Sequence, residues 1–178
     1  PTSARPFWLP FARRCHLFPM TKIALFKAVI LQLQTDLQTF VRAAQAARAE
    51  ATDEQSRAES KYDTRGLEAS YLAAGQARQV VELESAITTF AGLVPRKFAA
   101  GEAIGLGALV EVEQGGVGNL YLIGPCAGGT EVTVGRRDVL VITPQSPLGR
   151  ELQGRKKGER WELTVGGDKR PAMILGVT

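Results

Sequence analysis

From Ile23 onward, apolar residues recur at alternating intervals of three and four: Ile23, Phe26, Ile30, Leu33, Leu37, Phe40, Ala44, Ala47 and Ala51. That spacing lays every one of these side chains on a single stripe of one long helix. A second series, Ala69, Ala73, Gln76, Val80, Leu83, Ile87 and Phe90, repeats the pattern. Each stripe must be covered, and folding back into an antiparallel coiled-coil hairpin covers both at once. The pattern predicts this hairpin over 20–92, with a turn at Asp63 to Gly66, where the glycine is free to take a positive φ, and a tip near 62–68. Knob size falls toward the tip, from Leu37 and Phe40 against Ile87 and Phe90 to alanines on both sides. Small knobs let the helices approach closely but bury little, so the arm is expected to lean on its base and on helix propensity. About 25 residues per side would reach roughly 37 Å at 1.5 Å per residue, farther than a small second module could cover. The distal arm is therefore expected to project into solvent and to reach into something.

Gly92 and Pro95 end the helical period, and residues 93–105 read as a linker. Beyond it the period changes to two. Strands are predicted at Ala108 to Glu113, Asn119 to Gly124, Glu131 to Val134, Val139 to Ile142, Arg160 to Val165 and Pro171 to Val177, with glycine-rich turns between several of them. Between the fourth and fifth strands, Ser146 suits a helix N-cap, Pro147 the first turn and Gly154 the exit of a short helix. The expected class is α+β: an N-terminal helical hairpin, then over 106–178 a small, mostly antiparallel β domain with one short helix.

Composition narrows this picture modestly. The formal charge is +4 over 178 residues, compatible with nucleic acid or acidic partners but demanding neither. No apolar run approaches the roughly 18 residues of a membrane span, so no membrane partner is expected. Cys15 and Cys126 stand far apart in unlike contexts, which suits a reducing cytoplasm better than a disulfide framework. With His16 the one histidine, a zinc site or a Cys/His nucleophile pair lacks material. Residues 1–19 hold four prolines, three arginines and no acid. They read as a disordered upstream extension or a misassigned start before Met20, leaving Cys15 and His16 without a role.

Several segments invite chemistry and have plainer explanations. The glycine groups in "GLGALV", "GGVGN" and "GPCAGG" lack the Lys-Ser/Thr ending of a phosphate loop and precede no long helix, so they read as hairpin turns. "GRKKGERW" suits a basic turn between helix and strand, and Tyr121 and Trp161 suit core positions. Along the hairpin, Glu50, Asp53, Glu54 and Glu59 alternate with Arg48, Arg57 and Lys61, as on a solvated face. Asp63 and Glu68 differ because they flank the expected turn. Asp63 or Thr64 could cap the second helix with Glu68 in its first turn. Equally, the two carboxylates could share a hard divalent ion such as Mg²⁺ with another macromolecule, being too few to hold one alone.

The assembly resembles the bacterial transcript-cleavage factors GreA and GreB. Tyr121 to Leu163 is similar to the family's Tyr-x-Ile-Val-Gly segment followed by Ser-Pro-Ile/Leu-(Gly/Ala)-x-x-Leu-x-Gly-Lys, matching at Tyr121, Gly124, Ser146, Pro147, Leu148, Gly149, Leu152, Gly154 and Lys156. "EASYLAA" (Glu68 to Ala74) resembles the family's Asn-Ala-Glu-Tyr-x-Ala-Ala at Ala69, Tyr71, Ala73 and Ala74. The likeness runs from Met20 to Val177. At the tip the family reads Gly-Asp-Leu-x-Glu-Asn-Ala-Glu-Tyr. Here Asp63 and Glu68 stand five apart instead of three, and with Tyr71 aligned Glu68 falls on the family's Asn and Leu67 on its Glu.

The resemblance implies an FK506-binding-protein-like β domain that docks at the rim of the RNA polymerase secondary channel, with the hairpin inserted. It implies that Asp63 and Glu68 assist the polymerase, sharing its catalytic Mg²⁺ while the polymerase hydrolyses backtracked RNA. Tyr62, Arg65 and Tyr71 would support the tip, and Ser146, Pro147, Leu148 and Gly149 are candidates for docking. The implied protein is a monomeric accessory factor with no active site or cofactor of its own, reaching nascent RNA and DNA only through the elongation complex. Relatives of the same scaffold inhibit or modulate polymerase without stimulating cleavage, and that reading stays open. A prolyl isomerase would need a pocket rich in aromatics beyond Tyr121 and Trp161. A plain coiled-coil scaffold would need large knobs out to the tip.

Overall fold

A computed structural model describes residues 21–52, 65–165 and 168–178. Helix α1 spans Lys22–Thr52 and α2 spans Arg65–Ala91. Thr21 starts α1 as its N-cap, its hydroxyl accepting from the Ala24 N–H at 3.2 Å, which satisfies one of the helix's orphan donors. At the base of the hairpin Phe26 meets Phe90 edge to face, ring centroids 6.4 Å apart. Phe90 is therefore met by Phe26 at the base, and not by Phe40 as the expected pairing of large knobs had it.

Of the expected second stripe, Ala73, Gln76, Val80, Leu83 and Ile87 are half-buried and Phe90 is buried, while the Ala69 side chain falls outside what the structure describes. Two details differ. Ile23 is 57% exposed, lying past the end of the paired region. Gly66 belongs to the first turn of α2 rather than to the connection. Asp63 and Tyr62 fall outside the described residues, as do the extension, Cys15, His16 and the connection between the helices.

The remainder forms a six-stranded sheet in the order β3-β4-β2-β1-β6-β5, built from β1 (Leu109–Gln114), β2 (Val117–Ile123), β3 (Glu131–Val134), β4 (Arg137–Ile142), β5 (Arg160–Val165) and β6 (Asp168–Val177). Helix α3 (Pro147–Leu152) lies between β4 and β5. Pairing is antiparallel except between β2 and β4. The parallel pair arises because β3 runs at the sheet edge and β4 returns between it and β2. Gly115 and Gly116, both at positive φ, make the tight β1–β2 turn that a right-twisted hairpin prefers.

Both faces of this sheet are covered, which explains why β1 buries Leu109, Val110, Glu111 and Val112 in succession. One face packs Leu109, Leu120, Leu122, Val139 and Val141 against Leu25, Phe26, Val29, Leu33, Ala86 and Phe90 of the hairpin base. The other packs Val110, Val112, Ile123, Ile142 and Ile174 against Leu152 of α3 and against Phe98 and Ile104. Phe98 and Ile104 come from the stretch expected as a linker, which is thus anchored in a core. Ile104 also exchanges backbone hydrogen bonds with the exit of α3, donating to Arg155 O and accepting from the Gly154 N–H.

Leu25 and Val29 are fully buried yet lie off the heptad stripe. They form a second stripe, with Ala86 its counterpart on α2, that faces the sheet. Each large apolar side chain buried at this base contributes about 1.5–3 kcal/mol, against less than one for an alanine knob. The base, not the arm, holds the hairpin in place.

Candidate functional site

Two places carry the described residues singled out from sequence, the distal arm and the start of α3; a third, the junction where the hairpin base meets the sheet, carries residues that were not. On the arm, Glu68 lies in the first turn of α2 and is exposed. Negative charge there is favoured by the unsatisfied N–H groups of a helix start. Tyr71 is 70% exposed and Leu72 is 53% exposed. Arg65 opens α2. Neither large side chain helps to hold the hairpin closed.

Two further features of the arm lie on α2. Gln76 occupies a knob position, and its Oε1 is buried without a hydrogen-bond partner, an unfavourable state for an amide carbonyl. Gly75 is exposed in the body of α2, and a Cβ added there would meet nothing within 4 Å. Its φ is not positive. A glycine in this setting costs about 1 kcal/mol relative to alanine without any return in the packing of this chain. The signal was present in the sequence as a lone glycine inside a helical period.

At α3, Ser146 caps the helix: its Oγ accepts from the Gly149 N–H at 3.0 Å and donates to Thr143 O at 2.8 Å. Gly149 packs so closely that a Cβ would stand 1.9 Å from Thr143 O. Leu148 packs on the second core, while Pro147 is exposed. The fold itself therefore accounts for Ser146, Leu148 and Gly149, whatever else they touch. Gly124 is explained in the same way, since a Cβ would come within 2.8 Å of Val141 and 2.9 Å of Phe90. The structure does not bring the α3 group together with Glu68, which lies some 33 Å from Phe90 along α2 at 1.5 Å per residue.

The junction was not anticipated. Lys22, the first residue of α1, donates from Nζ to Arg96 O at 2.6 Å and to Gly107 O at 2.8 Å. Its ammonium lies 4.5 Å from the centroid of the Phe98 ring, and the Arg96 guanidinium stacks on the same ring at 3.8 Å. Glu102 closes the cluster, accepting from Arg96 and from the Ala99 N–H. Burial, with Arg96 close by, lowers the Lys22 pKa to about 8, while Glu102 pulls it the other way. The Ala99 N–H and then Arg96 hold the Glu102 carboxyl below its ordinary value. One lysine thus ties the start of the hairpin to both ends of the connecting stretch.

Elsewhere, Glu111 is buried on the hairpin side of β1 and ion-paired with Arg137 at 2.6 Å, which fastens the β3–β4 turn to the sheet. Burial raises the Cys126 thiol above its ordinary pKa, against a hydrogen bond with Thr89, so the thiolate that nucleophilic chemistry needs is disfavoured. Tyr121 and Trp161 both pack against the second core, and Arg155 lies 4.9 Å from the centroid of the Trp161 ring. The groove beside α3 is lined by Arg150, Glu151, Gln153, Gly154, Arg155 and Glu159. With no aromatic among them, it is not the pocket an isomerase would need. Among the described residues no three His, Cys, Asp or Glu side chains gather to hold a metal. Glu68 alone falls far short of the six oxygens that Mg²⁺ takes. No described helix is long and apolar enough to cross a membrane.

An α-helical hairpin seated by its base on a small, mostly antiparallel sheet with one short helix defines the class of protein. Solved structures similar to this chain include those of Gfh1. One, described as the transcription factor Gfh1, is 21% identical over 85% of this chain and 94% of its own, with a TM-score of 0.37. The GreA factor homolog 1 (Gfh1) protein of Thermus thermophilus is 23% identical, covering 85% and 96%, with a TM-score of 0.35. Gfh1 of Thermus aquaticus is 24% identical, covering 85% and 94%, with a TM-score of 0.37. No family model matches the sequence, and no curated protein matches it.

Proposed function

We propose that this chain is an accessory transcription elongation factor that binds RNA polymerase, inserts its hairpin into the secondary channel and stimulates cleavage of backtracked RNA by the polymerase. The observation that carries this reading is the division of labour along the hairpin. Its base is bolted to the sheet through Leu25, Val29, Leu33 and Phe90, while α1 beyond Leu33 contributes nothing to the core shared with the sheet. Nineteen further residues of α1 extend about 28 Å from there. A narrow arm of this reach with an anchored root is suited to entering a channel. The sequence resemblance to GreA and GreB supplies the identity of the channel.

Within this reading the sheet and α3 dock at the channel rim, with Pro147 the exposed residue of the α3 group. Asp63 and Glu68 lend carboxylate oxygens to a Mg²⁺ held chiefly by the polymerase, the ion that activates water for phosphodiester hydrolysis. The chain then has no complete active site of its own.

A second reading is favoured by one observation. Glu68 sits inside the first turn of α2, at the family's Asn rather than its Glu. A factor that occupies the channel without delivering a ligand pair would modulate or inhibit transcription instead. Purified backtracked elongation complexes, treated with wild type, Asp63→Ala or Glu68→Ala, separate the two. Cleavage with wild type that falls at least tenfold in either variant is expected. Uncut RNA in every lane despite retained binding would leave the modulator, and cleavage surviving both substitutions would clear these two residues of the role.

A further inference from the structure

We infer that the apolar run Phe7 to Phe11, which precedes the described residues, docks on an exposed apolar patch at the root of the hairpin made by Ile23, Val94 and Leu106. The Lys22 cluster assembles this patch. Lys22 Nζ holds Arg96 O at 2.6 Å and Gly107 O at 2.8 Å, drawing the start of α1, the exit of α2 and the approach to β1 to one point. Ile23 follows Lys22, Leu106 precedes Gly107, and Val94 lies two residues before Arg96. Ile23 is 57% exposed, Val94 79% and Leu106 44%. Three large aliphatic side chains left in water around one fastening point form a surface for a partner to cover.

The chain carries its own cover. Phe7, Trp8, Leu9 and Phe11 are interrupted only by Pro10 and stand in an uncharged stretch between Arg5 and Arg13. Segments that never fold are poor in aromatic residues, and this one is rich in them. Pro6 and Pro10 restrict the backbone beforehand, which lowers the entropy lost on docking. Residues 12–20 join the run to Thr21, the N-cap of α1 and the patch's neighbour in the chain. Nine residues span at most roughly 30 Å, enough to return to the patch and short enough to keep the run there at about millimolar effective concentration. A contact too weak to hold a separate molecule therefore still closes, and a free partner must compete with it. Lys22, Arg96 and Lys97 make the surroundings basic, so Arg5, Arg13 and Arg14 stay in solvent and apolar contact carries the docking. Docked there, the run braces the joint from which the arm departs. None of this depends on the polymerase reading.

Trp161→Phe leaves Trp8 as the single tryptophan of the full chain, and acrylamide quenching of its emission reads whether the run is covered. Quenching several-fold slower than in a peptide of residues 1–20 is expected, with emission shifted to the blue. Ile23→Ser combined with Val94→Ser should raise quenching to the peptide's value. Both positions are more than half exposed, so the fold itself does not depend on them. Leu31→Ser with Val81→Ser removes side chains of similar exposure, 65% and 64%, from elsewhere on the hairpin, and should leave Trp8 protected. Amide exchange across residues 7–11, with and without the Ile23 and Val94 substitutions, gives the same reading in a chain that keeps Trp161. Trp8 as open to acrylamide as in the peptide would overturn the inference. Protection that survives loss of the patch, or that is lost equally with Leu31 and Val81, would overturn it too, since the run would then lie elsewhere. Protection that disappears on dilution would overturn it in favour of docking on a second copy of the chain.

Discussion

Three glycines illustrate how the same residue answers to different physics. Gly149 is demanded by the backbone oxygen of Thr143, 1.9 Å from where a Cβ would sit, and Gly124 by Val141 and Phe90. Gly75 is demanded by nothing in the chain. Gly149→Ala is therefore expected to destabilise the fold by about 3 kcal/mol or more, because the obstacle is backbone and cannot swing aside. Urea unfolding measures this, and a midpoint equal to the wild type's would contradict the packing described. At this scale the sequence was most readable where the physics is local. Ser146, Pro147 and Gly154 announced α3 because capping, a fixed φ and a positive φ act within a few residues. Glu111 with Arg137, and Lys22 with Gly107, could not be read, since the partners lie 26 and 85 residues apart and meet only in the finished fold.

At the scale of elements, the two apolar periods identified the hairpin and the strands, while the coverage of each face depended on assembly. The heptad marks the surface where α1 meets α2. Leu25 and Val29 mark the surface where α1 meets the sheet, and their i, i+4 spacing beside the stripe was a readable sign that the apolar arc widens at the base. The stretch 93–105 looked like a linker because its glycines and prolines break both periods, yet Phe98 and Ile104 dock it. The Lys22 cluster that secures this stretch gives a pH signature. Lys22 has a pKa of about 8 folded against an ordinary 10.5, so between those values the unfolded chain binds more protons and stability rises with pH. Glu102 is shifted downward, so its contribution is present above its ordinary 4.5 and is lost as pH falls through its folded value. Melting temperatures of wild type and Lys22→Met, compared at pH 7.5 and 10, should move apart in favour of the wild type at the higher pH. The Glu102→Gln difference should vanish in acid. Differences that stay constant with pH would show that neither group titrates as described.

For the whole molecule, the lasting contrast is between an anchored base and an arm that little in the chain requires. Packing explains the first: buried phenylalanine, leucine and valine shared by hairpin and sheet. The second spends long helices on alanine knobs, buries the Gln76 side-chain oxygen without a partner, and leaves Tyr71 and Leu72 in solvent. Features that cost stability without contributing to the fold are expected where a surface is shaped for a partner. The hairpin, its taper and the sheet were legible because periodicity and side-chain size are written along the chain. Which residues the arm leaves outward was not, because that depends on how the two helices meet. Asp63 and Glu68 were legible as carboxylates flanking a turn, and Glu68 lies in the first turn of α2, where the capping reading put it.

The central claim is that the arm enters the channel of RNA polymerase while the sheet stays at its rim. The most direct measurement places a photo-cross-linking amino acid at Leu72 in one protein and at Pro147 in another, each bound to purified polymerase, and maps the cross-linked polymerase peptides. The account predicts peptides lining the interior of the secondary channel from position 72 and peptides of its outer rim from position 147. Cross-links from position 72 confined to the outer surface of the polymerase, with those from position 147 retained, would contradict it.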